Sequence, residues 1–188
     1  VRITGGEPLV RQDIVELVAR VAAVPGVEDV AMTTNGSQLD PERLAHWRAH
    51  GLRRLTFSLD TLREDRMASI TRSRTTVAHV LEAIEQARNA GFPRPKVNAV
   101  IIRGVNDDEV ADFAELARRR DLDVRFIEFM PLDSNRAWNR DHVVDADEML
   151  VSIQQRFDLQ ADAHTGPHST SMNWTFADDA PGRIGMIA

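Results

Sequence analysis

The chain has 188 residues, enough for one domain with a sizeable core and too few to argue for two. Apolar residues make up 43% and charged residues 28%, and no apolar run approaches the roughly 20 residues that cross a bilayer, so no membrane role is expected and the cytoplasm is the default location. The formal net charge of −6 argues against a general nucleic-acid binder, while a few converging cations could still hold a small anion.

Val1 to Thr4 reads as the end of a strand, followed by the loop Gly5-Gly6-Glu7-Pro8. Ile14, Leu17, Val18 and Val21 recur at helical spacing, and Pro25-Gly26 stops that helix. Val27 to Thr33 predicts a second strand. Asp40-Pro41 has the form of an N-cap followed by proline at the first helical position, opening a helix that Gly51 closes. Leu55 to Leu59 predicts a third strand, and Asp60 to Thr75 a polar connection. Val77, Val80, Leu81 and Ile84 line one side of the next helix, Val97 to Ile102 makes a fourth strand, and Asn106-Asp107-Asp108-Glu109 is expected to cap a helix bearing Val110, Phe113, Leu116 and Ala117. Val124 to Met130 is the fifth strand. Beyond it the pattern weakens: a loop containing Trp138, a helix over 145–156, a polar stretch over 161–171, and two strands at Met172 to Phe176 and Arg183 to Ile187 that are expected outside the main sheet.

Strands alternating with helices across short loops predict right-handed crossovers and a parallel α/β sheet, either doubly wound or part of a barrel; periodicity leaves both open. Both architectures gather ligands at the carboxyl ends of the strands. The sequence has no cysteine, so these residues offer no disulfide, zinc thiolate or iron–sulfur ligand. The chain also opens within one predicted strand and closes within an apolar run. That is the pattern expected of a piece of a longer protein, because a half strand leaves backbone groups unpaired.

Polar residues cluster at the predicted strand ends. Gly5, Gly6 and Glu7 could bring backbone and a carboxylate against an ammonium group, or simply make a tight strand-to-helix turn. Arg2, Lys96 and Arg125 lie in or beside apolar strands, where a charge must find a partner. Together they could form a fork for a triphosphate, or each could pair with a carboxylate such as Glu128 or Asp60. Thr33 and Ser58 offer hydroxyls to a phosphate or ribose, or to nearby backbone; Met130 could pack on an adenine or fill core. His164 and His168, four apart in a predicted loop, do not make a metal motif, and hydrolase and kinase motifs are missing.

Several strings occur in a telling order: Val-Arg-Ile-Thr-Gly-Gly-Glu-Pro-Leu-Val-Arg at 1–11, Thr-Thr-Asn-Gly at 33–36, Ser-Leu-Asp at 58–60, Lys-Val-Asn-Ala-Val at 96–100, Arg-Gly-Val-Asn-Asp at 103–107, Arg-Phe-Ile-Glu-Phe-Met-Pro at 125–131 and Gly-Arg-Ile-Gly at 182–185. Gly-Gly-Glu-Pro alone resembles radical S-adenosylmethionine enzymes at large. The set resembles the GTP 3',8-cyclases of molybdenum cofactor (molybdopterin) biosynthesis.

The resemblance implies a partial (β/α) TIM-type barrel, cut at both ends. Residues 1–131 would be its core without the first strand and cluster loop, and 132–188 the start of an incomplete C-terminal region. It implies that Gly6 and Glu7 hold the amino group of S-adenosylmethionine, that Ser58 contacts the same cofactor and that Met130 lines its adenine pocket. Arg2, Thr33 and Lys96 would contact GTP, with Arg125 near the phosphates. The implied reaction begins when a reduced [4Fe-4S] cluster cleaves S-adenosylmethionine to a 5'-deoxyadenosyl radical. That radical abstracts hydrogen from C3' of GTP, and the carbon radical closes onto C8 to give 3',8-cyclo-7,8-dihydro-GTP. The family carries two three-cysteine cluster motifs and needs an electron donor; a homodimer is allowed for. None of those cysteines is here. No residue of this chain is assigned a catalytic or metal-ligating role, and these residues alone are expected to bind GTP or S-adenosylmethionine weakly at most and to catalyse nothing. The competing readings are a radical S-adenosylmethionine enzyme with another substrate and a cysteine-free nucleotide-binding or interaction module.

Overall fold

A computed structural model describes residues 1–71, 75–131, 138–163 and 170–188. Apart from α3, the first half follows the sequence pattern: β1 (Arg2–Ile3), α1 (Ile14–Ala22), β2 (Val30–Thr34), α2 (Pro41–Ala49), β3 (Leu52–Ser58), α3 (Glu64–Thr71), α4 (Val77–Asn89) and β4 (Lys96–Ile101). It continues with α5 (Val110–Arg120), β5 (Asp123–Glu128), α6 (Ala146–Gln154), β6 (Leu159–Ala161), β7 (Met172–Phe176) and β8 (Arg183–Ile187). The caps work as local chemistry dictates. Asp40, Thr76 and Asp145 each accept a hydrogen bond from the amide three residues on, at 2.8, 3.1 and 2.8 Å.

The strands form one sheet in the order β1-β2-β3-β4-β5-β8-β7-β6. From β1 to β5 each crossover steps one place in the same direction, and every pair is parallel. A doubly wound sheet would reverse direction at a switch point; this one does not, so its helices lie on one side, as in a barrel wall. Met32, Leu55, Phe57, Val97, Val124 and Phe126 form that side, in one buried cluster with Val18, Leu44, Ile84, Phe113 and Met149 from the helices. Phe113 of α5 meets Phe126 of β5 edge to face, ring centres 6.2 Å apart.

Three expectations need correction. The connection over 60–75 contains helix α3, which buries only Met67 and so shows no apolar periodicity; its Glu64 caps α4 by accepting from the amides of Val77 and Ala78 at 3.0 and 2.9 Å. Next, β8 is not outside the main sheet. It pairs parallel with β5, and β7 and β6 add antiparallel beyond it. Gly182 permits this close seating, because a Cβ there would fall 2.1 Å from the carbonyl oxygen of Ala117 in α5. Finally, Asn106 and Glu109 do not cap a helix with their side chains. Glu109 is fully buried and accepts from Thr61 Oγ1 (2.8 Å), the Leu62 amide (2.6 Å) and Arg66 (2.8 Å), while Asn106 donates to the carbonyls of Asp60 and Val100. Both tie the end of β3 to the end of β4.

Candidate functional site

Side chains alternate across a strand, so the residues between the apolar ones share the other face. That face is polar. Register places Thr33, Thr56, Lys96, Asp123, Arg183 and Thr175 in one row across six strands. The next row runs Ser58, Asn98, Arg125, Gly185 and Asn173. Below them lie Arg2, Ala31 and Arg54. The buried residues of the described helices join the opposite, apolar side, and a half-buried sheet face with so many charged and polar groups is shaped to meet something polar.

The cations on this face differ in how they are neutralised. Arg54 is bound to Asp29 through two nitrogens. Lys96 lies 3.3 Å from Asp123, whose carboxylate is also gripped by Arg183 through Nε and Nη2 at 2.9 and 2.8 Å. Arg2 donates from Nη1 to the hydroxyls of Thr33 and Thr56, both at 3.2 Å. Among the described residues, neither Arg2 nor Arg125 has a carboxylate within ion-pair distance. The expected partners are engaged elsewhere: Glu128 accepts from the Ala146 amide at the start of α6, and Asp60 from the Val100 amide.

Electrostatics follow from that arrangement. Burial lowers the pKa of Lys96, and the neighbouring Arg125 lowers it further, against the pull of Asp123. Burial also lowers the pKa of Arg125, with Arg2 adding to the effect. Burial works to raise Asp123, but the Arg183 hydrogen bonds and the Lys96 charge outweigh it and hold this carboxyl below its ordinary value. A cluster of partly desolvated, mutually repelling cations is an anion site in waiting.

The loop after β1 lies at the same strand ends. Glu7 accepts from Thr34 Oγ1 and the Asn35 amide, both at 2.7 Å, and from the Leu9 amide at 3.1 Å. Its carboxylate therefore joins the exits of β1 and β2, and the backbone of Gly5 and Gly6 is the freer surface; Cβ positions there meet nothing within 4 Å. Met130, two residues past β5, is 40% exposed, and Trp138 packs beside that exit by donating from Nε1 to the Phe129 carbonyl at 2.8 Å. Thus Arg2, Thr33, Lys96, Ser58 and Arg125 share one face, Gly6 and Glu7 stand at the exit of β1, and Met130 stands beyond the registered rows. His164 and His168 lie outside the described residues.

Sequence reading assigned no site role to Asn98, Asp123, Arg183 or Trp138. Asn98 is the most informative of these: its Oδ1 is buried without a hydrogen-bond partner among the described residues, in the row between Ser58 and Arg125. Gln86 Oε1 is unpaired in the same way, so what distinguishes Asn98 is its place on the polar row, where a ligand's donor could reach it. The open Gly5-Gly6 backbone and this acceptor suit a ligand with ammonium and hydroxyl donors, so the residues fit S-adenosylmethionine. They do not fit an iron–sulfur cluster, because the chain has no thiolate. A separate cleft of about 400 Å³, lined by Arg118, Arg156 and Phe157 among others, carries no comparable charge surplus: Arg118 pairs with Asp178 and Arg156 with Asp112.

The family model described as the radical SAM superfamily matches residues 1–117. The chain belongs to the radical SAM superfamily. A second model, Molybdenum Cofactor Synthesis C, matches residues 122–188 of this radical SAM chain. GTP 3',8-cyclase of Pelotomaculum thermopropionicum is 42% identical over 187 residues, all of this chain and 57% of that protein. The GTP 3',8-cyclase of Geobacter sulfurreducens is 48% identical over 160 residues, 85% of this chain and 48% of that one. Molybdenum cofactor biosynthesis protein 1 of Drosophila melanogaster is 42% identical over all of this chain and 32% of its own length. The chain spans about half the length of the curated bacterial relatives it matches. Among solved structures, a domain of pyruvate-formate lyase-activating enzyme from Bacteroides vulgatus superposes with a TM-score of 0.60 at 16% identity, covering 82% of this chain and 90% of that one. That likeness supports the partial barrel read from the strand order. No described helix is long and apolar enough to cross a membrane, and no described group of His, Asp and Glu could hold a metal ion.

Proposed function

We propose that this chain is the ligand-binding core of a GTP 3',8-cyclase, with GTP held by the polar sheet face and S-adenosylmethionine at the strand exits beside it. The observation that carries this reading is the surplus of cations on one face: Arg2, Lys96, Arg125 and Arg183 against Asp123 and Asp162, the latter 3.4 Å from Arg183. The relatives at 42–48% identity are GTP 3',8-cyclases, and GTP is the anion to which that face is matched.

In this reading Lys96, Arg125 and Arg2 bind the triphosphate. Thr33, already an acceptor for Arg2, fixes where that guanidinium points. Ser58 and Asn98 sit one step further along the strands and bind the ribose of the cofactor, Gly6 offers backbone to its amino group, and Met130 covers its adenine. Glu7 acts one layer back, holding the Gly5-Gly6 loop to β2. When bound, S-adenosylmethionine supplies hydrogen-abstracting radical chemistry; the residues here orient the two nucleotides and keep water away. Thiolates for the clusters, and an electron donor, belong outside these 188 residues, so binding without turnover is expected of this chain alone.

Calorimetric titration of the chain with GTP tests the reading. Arg2→Ala and Lys96→Ala should each weaken GTP by about tenfold or more, on the order of 1.5–3 kcal/mol for a charge-assisted contact. Wild-type affinity in both variants would overturn it.

A further inference from the structure

Lys96, Asp123 and Arg183 occupy one register row on three adjacent parallel strands. The carboxylate between the two cations is nearly closed to solvent, at 8% side-chain exposure, whereas Lys96 keeps 17% and Arg183 35%. Arg183 grips both carboxylate oxygens, which fixes the plane of Asp123 and leaves Oδ2 facing the Lys96 ammonium at 3.3 Å. Lys96, a half-buried cation of the polar face, is thus aimed by a carboxylate that is itself clamped.

We propose that Asp123 is the positioning residue of the anion site, holding Lys96 in its charged form and directing it onto the polar face, with Arg183 clamping the carboxylate. The inference deepens the GTP-binding reading and rests on it. Groups facing Lys96 are Thr56, uncharged, from β3; Asp123 and Arg125 from β5; and Arg183 from β8. Arg94, just before β4, approaches Asp123 no closer than 4.0 Å. Of the charged neighbours with the largest effect on the ammonium, Arg125 and Arg183 oppose its charge and Asp123, 3.3 Å away, supports it. Removing that carboxylate takes away the main support, so the ammonium should lose its proton at lower pH.

The test follows Lys96 Nζ by NMR across pH in the wild-type chain and in Asp123→Asn, with tripolyphosphate affinity measured on the same samples. The Lys96 midpoint is expected to fall in Asp123→Asn. Tripolyphosphate should then bind about tenfold more weakly near pH 9 and within about threefold of wild type near pH 6.5. Equal losses at both pH values, or an unmoved midpoint, would overturn the proposal, since a merely structural carboxylate weakens binding alike at every pH. Where Asp123→Asn does not fold, Asp123→Asn/Arg183→Met removes one charge of each sign and should show a smaller displacement in the same direction, because Arg183 itself opposes the Lys96 charge. If wild type and Lys96→Ala bind tripolyphosphate equally, the GTP reading fails on its own, while the NMR midpoint still decides the role of Asp123.

Discussion

Glu7, on the loop after β1, accepts a 2.7 Å hydrogen bond from the hydroxyl of Thr34, at the end of β2. With the amides of Asn35 and Leu9 on the same carboxylate, one side chain satisfies three donors that would otherwise be left near the sheet edge. Glu7→Ala should lower unfolding free energy by about 1–3 kcal/mol, the range for stranding buried donors. Thr34→Val, which removes one donor together with its need, should have the smaller effect. Denaturant unfolding of the two variants decides the matter, and equal stabilities would mean that Glu7 is free to serve a ligand.

Asn98 predicts a trade between stability and binding. Its buried Oδ1 has no partner among the described residues, so Asn98→Leu should leave stability unchanged or raise it by about 1 kcal/mol. The same variant should weaken S-adenosylmethionine binding several-fold. A destabilised Asn98→Leu chain with unaltered binding would show that the acceptor has a partner within the fold.

Gly182→Ala should be among the most disruptive single changes outside the site. The added methyl group would press on the backbone of Ala117, and a shift of β8 to relieve it would strain the Arg183–Asp123 pair on the next residue. A loss of about 1–3 kcal/mol is expected, the range for overpacking. A melting temperature equal to wild type would remove the close seating of β8 on α5.

Burial at Asp60 and pairing with Arg183 and Lys96 at Asp123 give opposite pH signatures. Burial raises the folded-state pKa of Asp60, so its contribution to stability is fully present below the unfolded value of about 3.9 and is lost as pH rises through the folded pKa. Asp123 is lowered overall, so its contribution is present above that unfolded value and is lost as pH falls through the folded pKa. Asp60→Asn, which keeps an acceptor for the Val100 amide, should therefore stabilise the chain near neutral pH. Asp123→Asn should destabilise it there and converge on wild type in strong acid. Urea midpoints from about pH 3 to pH 7 would expose either sign as mistaken.

Much of this architecture is written locally. Asp40-Pro41 announces α2, and the alternation Lys96-Val97-Asn98-Ala99 already separates a polar face from an apolar one. The single buried residue of α3, Met67, leaves no period to read, and Glu109 looks like a helix-start acid until Thr61 and Arg66 are seen around it. Partners distant in sequence are harder still. Asp123 and Arg183 lie 60 residues apart, and nothing in either neighbourhood names the other; Glu128 and Asp60 are equally plausible counter-ions until the register excludes them. Asn98 stands inside a recognisable string, yet its missing partner is a property of packing alone.

The seam between the two family models falls at residues 118–121, but the sheet does not respect it. Lys96 belongs to the first segment, while Asp123 and Arg183 belong to the second, and strands β4 and β5 are zipped together along six registered pairs. Neither segment carries its own complete set of charges. Chimeras joined at that seam from two diverged parents would bring together surfaces never tuned to each other, so the two segments should evolve as a matched pair and tolerate exchange only when lysine, aspartate and arginine travel with compatible neighbours.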